Sequence, residues 1–154
     1  MTAPRSYLYV PGDRPDRMAS AAGRGADALI LDLEDAVPAS GKAAARMQVR
    51  TFLATAPAGP QWWVRINAES LAEDVADVVI GPELAGIVLP KADPALLAEL
   101  DLPRAPDAFI STTALHWLER APLQRLLRTA AESLADRGVF VDGDHLFVAA
   151  RDKN

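Results

Sequence analysis

The sequence predicts an α/β fold built on about four parallel strands, followed by a strand–helix–strand segment. Short apolar runs alternate with longer alanine- and arginine-rich segments of helical period, which is typical of a parallel sheet covered by helices. The chain has 154 residues, half of them hydrophobic, which is enough for a buried core. This alternation leaves open whether the sheet is flat or closed into a barrel.

Four apolar runs predict the strands of the main sheet. The second run, DALILDL, is almost continuously apolar, as expected for a strand that is covered on both faces. The predicted strands are Ser6 to Val10, Asp27 to Leu33, Gln61 to Ile66 and Ala85 to Leu89.

Helical segments separate these strands. Pro15 suits the first turn of a helix over Arg14 to Ala22, and Ser40 is a candidate N-cap for a helix that reaches Ala54. The apolar residues predicted to anchor that second helix are Ala44, Met47, Val49 and Phe52. A shorter helix or turn is predicted over Leu71 to Ile80.

Two prolines within the segment Asp101 to Pro106 predict a junction, which divides the chain into residues 1–102 and 103–154. Beyond the junction, we predict a strand over Ala108 to Ser111 and an amphipathic helix over Pro122 to Leu134, with Gly138 as its C-cap. A final strand or hairpin is predicted over Val139 to Val148.

Composition and charge exclude several classes of protein. The chain contains no cysteine, which excludes a disulfide framework, a thiol nucleophile and cysteine-ligated metal sites. A net charge of -5 argues against binding to nucleic acid or to an anionic membrane. The amino terminus lacks the pattern of a signal peptide, and no apolar run approaches the roughly 20 residues that span a bilayer. We therefore expect a cytoplasmic protein.

Charged residues at predicted strand ends are the candidates for chemistry. Asp32, Glu34 and Asp35 lie at the carboxyl end of the second strand, where they either bind a divalent cation or form a solvated, helix-capping loop. Arg65 requires an anionic partner, which is either this acidic cluster or a bound carboxylate or carbonyl oxygen. Lys91 follows the fourth strand, either in the same role or as an exposed loop residue.

Five motifs in the first 101 residues resemble the citrate lyase beta subunit and its relatives in the HpcH/HpaI aldolase superfamily, which includes malyl-CoA and citramalyl-CoA lyases. The motifs are RSYLYVPGDRPDRM (5–18), GADALILDLEDAV (25–37), KAAAR (42–46), WVRIN (63–67) and GIVLPKA (86–92). The resemblance implies an incomplete TIM barrel and a magnesium-dependent carbon–carbon lyase that acts on a CoA thioester or a 2-keto acid.

The same resemblance assigns roles to individual residues. Arg65 is implied to be the catalytic residue that contacts the substrate and its enolate, and Glu34 and Asp35 are implied to lie near Mg2+, reaching it through water. The residues implied to bind the substrate or CoA are Arg5, Arg14, Lys42 and Lys91.

The resemblance to the lyases ends after the fourth strand, because the glutamate and aspartate that are the family's principal metal ligands have no counterpart in later motifs of this chain. Residues 106–146 instead resemble a fragment of a class I S-adenosylmethionine-dependent methyltransferase. We therefore expect a truncated lyase that is weakly active or inactive alone. The alternatives are a non-catalytic fusion or remnant that forms a homo-oligomer, and a methyltransferase-like protein.

Overall fold

The computed structural model describes residues 4–79, 84–91, 105–111 and 118–142, together with residues 95, 97 and 115. The chain divides into two compact units, Met1–Pro90 and Lys91–Asn154. This division falls earlier in the chain than the junction predicted from the prolines. The assignment of residues 1–102 and 103–154 to two different families stays a prediction.

The first unit is built on a four-stranded parallel sheet in which sequence order equals spatial order, β1-β2-β3-β4. This confirms the predicted α/β fold with about four parallel strands. The observed ends lie within one residue of the predicted ones: β1 is Tyr7–Pro11, β2 Ala28–Asp32, β3 Gln61–Arg65 and β4 Gly86–Val88.

Three helices connect these strands: α1 at Pro15–Ala21, α2 at Lys42–Leu53 and α3 at Leu71–Asp74, which continues as a π-helical turn at Val75–Val79. The prediction that Ser40 caps α2 is wrong. Ser40 lies in a preceding 3-10 turn, Ala39–Gly41, and no side chain caps the helix.

The buried face of α2 also differs from the predicted one. Met47 is exposed, and the buried residues are Ala45, Val49 and Leu53. These three recur every four residues, so they form a single stripe along the helix, whereas Met47 lies outside that stripe.

The two faces of the sheet have different surroundings because side chains alternate along each strand. Leu29, Leu31 and Val64 point to one face and are fully buried together with Met18 of α1 and Val49 of α2. The helices therefore cover this face.

The other face carries the charged strand ends. The strand register places Pro11 beside Asp32 and Asp32 beside Arg65, and it places Tyr9 on the same side of the sheet. Tyr9 is 50% exposed. The candidate functional residues therefore lie together at the carboxyl edge of this face, which the helices of the first unit leave uncovered.

The second unit contains the predicted strand–helix–strand arrangement. Strand β5, Ala108–Ser111, pairs in parallel with β6, Val139–Asp142, and helix α4, Arg120–Ser133, lies between them in sequence. The prediction of Gly138 as a C-cap is wrong, since the helix ends at Ser133 and Gly138 instead donates its N–H to the Ala135 carbonyl in a tight turn. The predicted hairpin arm over His145 to Val148 lies outside the described residues.

Among the residues that the structure describes, no helix is long and apolar enough to cross a bilayer.

Candidate active site

The carboxyl edge of the sheet is organised around an ion pair between Asp32 at the end of β2 and Arg65 at the end of β3. The guanidinium donates from Nε to Asp32 Oδ1 over 2.7 Å and from Nη2 to Asp32 Oδ2. The side chain of Asp32 is 3% exposed and that of Arg65 is 19% exposed. This bidentate, largely buried geometry is the strongest form of a carboxylate–guanidinium pair.

The remaining guanidinium nitrogen, Nη1, faces two further carboxylates. Its distance is 3.0 Å to Glu34 Oε2 and 3.6 Å to Asp35 Oδ2, and the Asp35 side chain is 69% exposed. Arg65 Cζ also lies over the Tyr9 ring, 5.1 Å from its centroid, within the range of a cation–π contact. The hydrogen bonds to Asp32 raise the pKa of Arg65, so the guanidinium remains charged throughout the physiological range.

Asp32 also shapes the loop that carries the other acids. The backbone N–H of Glu34 donates to Asp32 Oδ1 over 2.8 Å, and that of Ala36 donates to Oδ2 over 3.3 Å. An aspartate that binds the backbone two residues ahead closes a tight turn. One buried carboxylate therefore both pairs with Arg65 and turns the chain so that Glu34 and Asp35 reach Nη1.

Lys42, in the first turn of α2, binds the backbone of the loop that carries Glu34 and Asp35. Its ammonium donates to the carbonyl oxygens of Leu33 (2.9 Å) and Glu34 (2.8 Å) and to Asn67 Oδ1 (2.7 Å). An ammonium group has three protons, and these three acceptors occupy all of them. In this structure Lys42 therefore contacts the loop and has no proton left for a thioester ligand.

Behind Lys42 lies a buried carboxylate that the sequence analysis missed. Asp74, in α3, accepts hydrogen bonds from the backbone N–H and Nδ2 of Asn67 and from Arg46 Nε. Its side chain is 1% exposed. Arg46 and Asn67 belong to the KAAAR and WVRIN motifs, so the sequence does mark their two segments as candidates for the site. Asp74 follows another acid in a short helix, and nothing in its local sequence pattern indicates burial.

Two of the other predicted ligand contacts, Arg5 and Arg14, pair with acids outside this cluster. Arg5 precedes β1 and pairs with Asp27 just before β2, so it lies at the amino edge of the sheet, opposite to Arg65. Arg14 follows β1 at the carboxyl edge but pairs with its neighbour Asp16 in an exposed ion pair. Lys91 is exposed, follows β4 and belongs to the second compact unit.

The chemistry of the donor set does not suit a complete magnesium site. No group of three or more histidine, aspartate or glutamate side chains that could hold a metal occurs among the described residues. Although Asp32, Glu34 and Asp35 lie close together, the Arg65 guanidinium lies among them, and its positive charge already balances part of their negative charge. Glu34 and Asp35 are therefore suited to contacts with a cation through water, as the sequence analysis predicts, and that role stays a prediction.

Comparison with known proteins identifies related sequences. The sequence model of the HpcH/HpaI aldolase/citrate lyase family matches residues 5–100. A (3S)-malyl-CoA thioesterase of Cereibacter sphaeroides (strain KD131) is 36% identical over 64% of this chain and 38% of its own length. A citrate lyase subunit beta-like protein of Deinococcus radiodurans is 41% identical over 58% of this chain and 34% of its own. The chain thus spans little more than a third of the length of these relatives.

Solved structures show the same fold. The citrate lyase beta subunit of Mycobacterium tuberculosis, complexed with oxaloacetate and magnesium, matches with a TM-score of 0.52 and 26% identity over 92% of this chain and 79% of that one. The protein CitE from Mycobacterium tuberculosis, in complex with magnesium, acetoacetate and coenzyme A, matches with a TM-score of 0.51 and 25% identity over 92% of this chain and 66% of that one. The structural likeness extends beyond residue 100, where the match to the family model ends.

Proposed function

Because the chain belongs to the HpcH/HpaI aldolase/citrate lyase family, we propose that its carboxyl edge binds the carboxylate or keto-acid part of a CoA-ester substrate during carbon–carbon bond cleavage. The site would consist of Arg65 as the residue that contacts the ligand, with Glu34 and Asp35 beside it. Since the chain spans only part of its relatives, we expect binding to be measurable and turnover of the chain alone to be weak or absent.

The observation that supports this proposal is that the nitrogens of the Arg65 guanidinium have different partners. Asp32 binds Nε and Nη2 and fixes the plane of the group. Nη1 lies 3.0 Å from Glu34 and 3.6 Å from the exposed Asp35, and the contact with Asp35 is the longest of the three ion pairs. An incoming carboxylate or enolate oxygen can replace this contact without disturbing the bidentate pair. Arg65 is then a preoriented cation with one donor available for exchange.

This arrangement suits the chemistry of the family. Cleavage of a 3-hydroxyacyl thioester leaves an electron pair on the thioester fragment as an enolate, and a fixed cation at that position lowers the barrier. When bound, Mg2+ would hold the keto-acid fragment and polarise its carbonyl group. The described residues do not complete a site for this ion, so the contribution that we assign to this chain is the cationic one.

The substrate class and the type of reaction come from the relatives. Malyl-CoA is the substrate named for the Cereibacter protein, and that protein is a thioesterase rather than a lyase. Incubation with malyl-CoA therefore has two informative products: acetyl-CoA with glyoxylate for the lyase, or free CoA with malate for the thioesterase. Arg5, Arg14, Lys42 and Lys91 stay predictions as CoA contacts, with Arg14 favoured by its place at the carboxyl edge.

The test is titration of the purified chain with pyruvate in the presence of Mg2+, followed by the fluorescence of Trp62 and Trp63 in β3. We expect a saturable change in the unaltered chain and a loss of most of it in Arg65→Lys, which keeps the charge but not the fork of donors. Arg50→Gln is the matched control, since it removes an arginine of α2 that is not among the predicted ligand contacts. Absence of saturation, or an equal response in Arg65→Lys, would contradict the proposal.

Self-association is the second candidate, and the exposed side chains of β1 favour it. Tyr7, Leu8 and Tyr9 are all exposed, and β1 lies at an edge of the described sheet. Exposed edge strands promote pairing with another chain. Light scattering during size-exclusion chromatography decides this point, and a monomer at every concentration would refute it.

The methyltransferase resemblance of residues 106–146 also stays a prediction. The parallel β5–α4–β6 arrangement is compatible with it, but the same arrangement occurs in β/α barrels. Calorimetry with S-adenosylmethionine tests this alternative, and absence of binding heat would refute it. A cytoplasmic location is likewise part of the proposal.

A further inference from the structure

We propose that Asn67 is a positioning residue of this site, which couples the buried carboxylate of Asp74 to Lys42 and so sets where the loop after β2 presents its acids to Arg65. This inference rests on the proposed function of that edge. It concerns Asn67 and Asp74, whose effect on a ligand would pass through Lys42 and the loop.

The coupling is a continuous chain of hydrogen bonds. Asp74 Oδ2 accepts from both the backbone N–H (2.7 Å) and Nδ2 (3.0 Å) of Asn67, which fixes the orientation of the amide. The amide oxygen, thereby turned away from Asp74, accepts from Lys42 Nζ over 2.7 Å. A flipped amide would place an NH2 group against the ammonium, so Asp74 determines which group Lys42 meets.

Lys42 then transmits this placement to the loop. It donates to the carbonyl oxygens of Leu33 and Glu34, while the Leu33 N–H donates to the Arg65 carbonyl over 2.9 Å. The backbone that carries Glu34 is therefore held from both sides. Glu34 Oε2 lies 3.0 Å from Arg65 Nη1 as an ion pair, and a shift of about 1 Å in this backbone would weaken that attraction, since it falls with the distance between the charges.

The energetic design supports positioning rather than stability as the purpose of the network. Burying Asp74, Arg46 and Lys42 carries a desolvation penalty that an apolar cluster of the same size would avoid. Asp74 is also the last residue of α3 before the π-helical turn Val75–Val79, and π turns are rare and concentrate at functional sites. A costly polar chain and an unusual backbone therefore lie next to the loop that carries Glu34 to Arg65.

The test uses two NMR signals that report on the loop directly: the Arg65 Nε–H, identified by its disappearance in Arg65→Lys, and the Glu34 backbone N–H, which donates to Asp32. In Asn67→Leu, which keeps the approximate shape but loses the amide, we expect both signals to shift and to exchange faster with water while the rest of the spectrum stays folded. Unchanged signals would overturn the proposal.

Further variants keep the test decisive. Lys42→Met cuts the same chain one step later and should displace the same two signals. Arg50→Gln removes a cation from the same helix, away from Asn67, and should leave both signals in place. If Asn67→Leu and Lys42→Met both fail to fold, the network serves stability and the proposal is overturned. Pyruvate with Mg2+ that moves neither signal in the unaltered chain would instead contradict the proposed function and leave the positioning role intact.

Discussion

Asp32→Asn is the substitution that most directly tests the structural account of the carboxyl edge. It keeps the size of the side chain and one acceptor oxygen, but it removes the negative charge that binds Arg65 Nε and Nη2. It also leaves only one oxygen for the backbone N–H groups of Glu34 and Ala36.

The expected loss follows from burial. Removing one partner of a buried ion pair costs about 3–5 kcal/mol, because the other charge remains buried without compensation. At Arg65, Glu34 and Asp35 still supply negative charge at Nη1, which places the expected loss near the lower end, at about 3 kcal/mol. A surface pair would lose less than about 1 kcal/mol, so the two cases are well separated.

The assay is urea unfolding followed by tryptophan fluorescence. The chain has three tryptophans, and in a Trp117→Phe background the signal comes from Trp62 and Trp63 in β3 alone. Arg5→Gln, which breaks an exposed pair at the other edge, is the control and should lower the free energy of unfolding by less than about 1 kcal/mol. A loss of less than about 1 kcal/mol in Asp32→Asn would refute the claim that this pair organises the edge.

Three further outcomes follow from the structure. Asp74→Ala should lower the free energy of unfolding by about 3 kcal/mol in the same assay, near the lower end for a broken buried pair, since Arg46 loses its 2.8 Å partner but keeps the 3.7 Å contact with Asp77; a loss below about 1 kcal/mol would contradict this. Gly86→Ala should lower the free energy of unfolding by about 1–3 kcal/mol, because the Cβ of the new alanine would lie 2.6 Å from Trp63 Cε3. The substitution should also alter Trp63 fluorescence, and an unchanged emission spectrum would contradict this steric clash. Arg5 lowers the pKa of Asp27, so this pair stabilises the fold at pH values above the usual aspartate pKa and ceases to do so as the pH falls through the lowered value. Carboxyl NMR titration should show the pKa of Asp27 rising towards its usual value in Arg5→Gln, and an unchanged titration would refute the pairing.

The strands were predictable because each one is encoded by its own residues. A strand that is covered on both faces needs apolar residues at nearly every position, and the run ALILD shows this pattern directly in the sequence. The acids and Arg65 were predictable for a topological reason, since parallel strands deliver their carboxyl ends to one edge. The register then places Asp32 beside Arg65, as that reasoning expects.

The parts that were not predictable depend on contacts between distant segments. The Ser40 cap was wrong because a side chain of the right type caps a helix only if the backbone enters at the right angle, and here a 3-10 turn precedes α2. Asp74 was missed because its burial depends on Arg46 and Asn67, which come from two other elements. The contacts of Lys42 were not predictable for the same reason, since the sequence does not reveal that two loop carbonyls and an amide oxygen accept its protons; its role as a ligand contact stays a prediction.

The two interpretations of Arg65 that the sequence leaves open, a structural ion pair and a ligand contact, apply to different atoms of one side chain. Nε and Nη2 belong to the buried pair with Asp32, whereas Nη1 lies 3.0 Å from the largely buried Glu34 and 3.6 Å from the exposed Asp35, which is the carboxylate that a ligand can replace. A guanidinium that is fixed on one side loses little further conformational entropy when its other side meets an anion, which is the advantage of a preorganised donor. The structural pair is therefore the physical basis on which a ligand contact at Nη1 becomes effective, and loss of Asp32 should weaken both together.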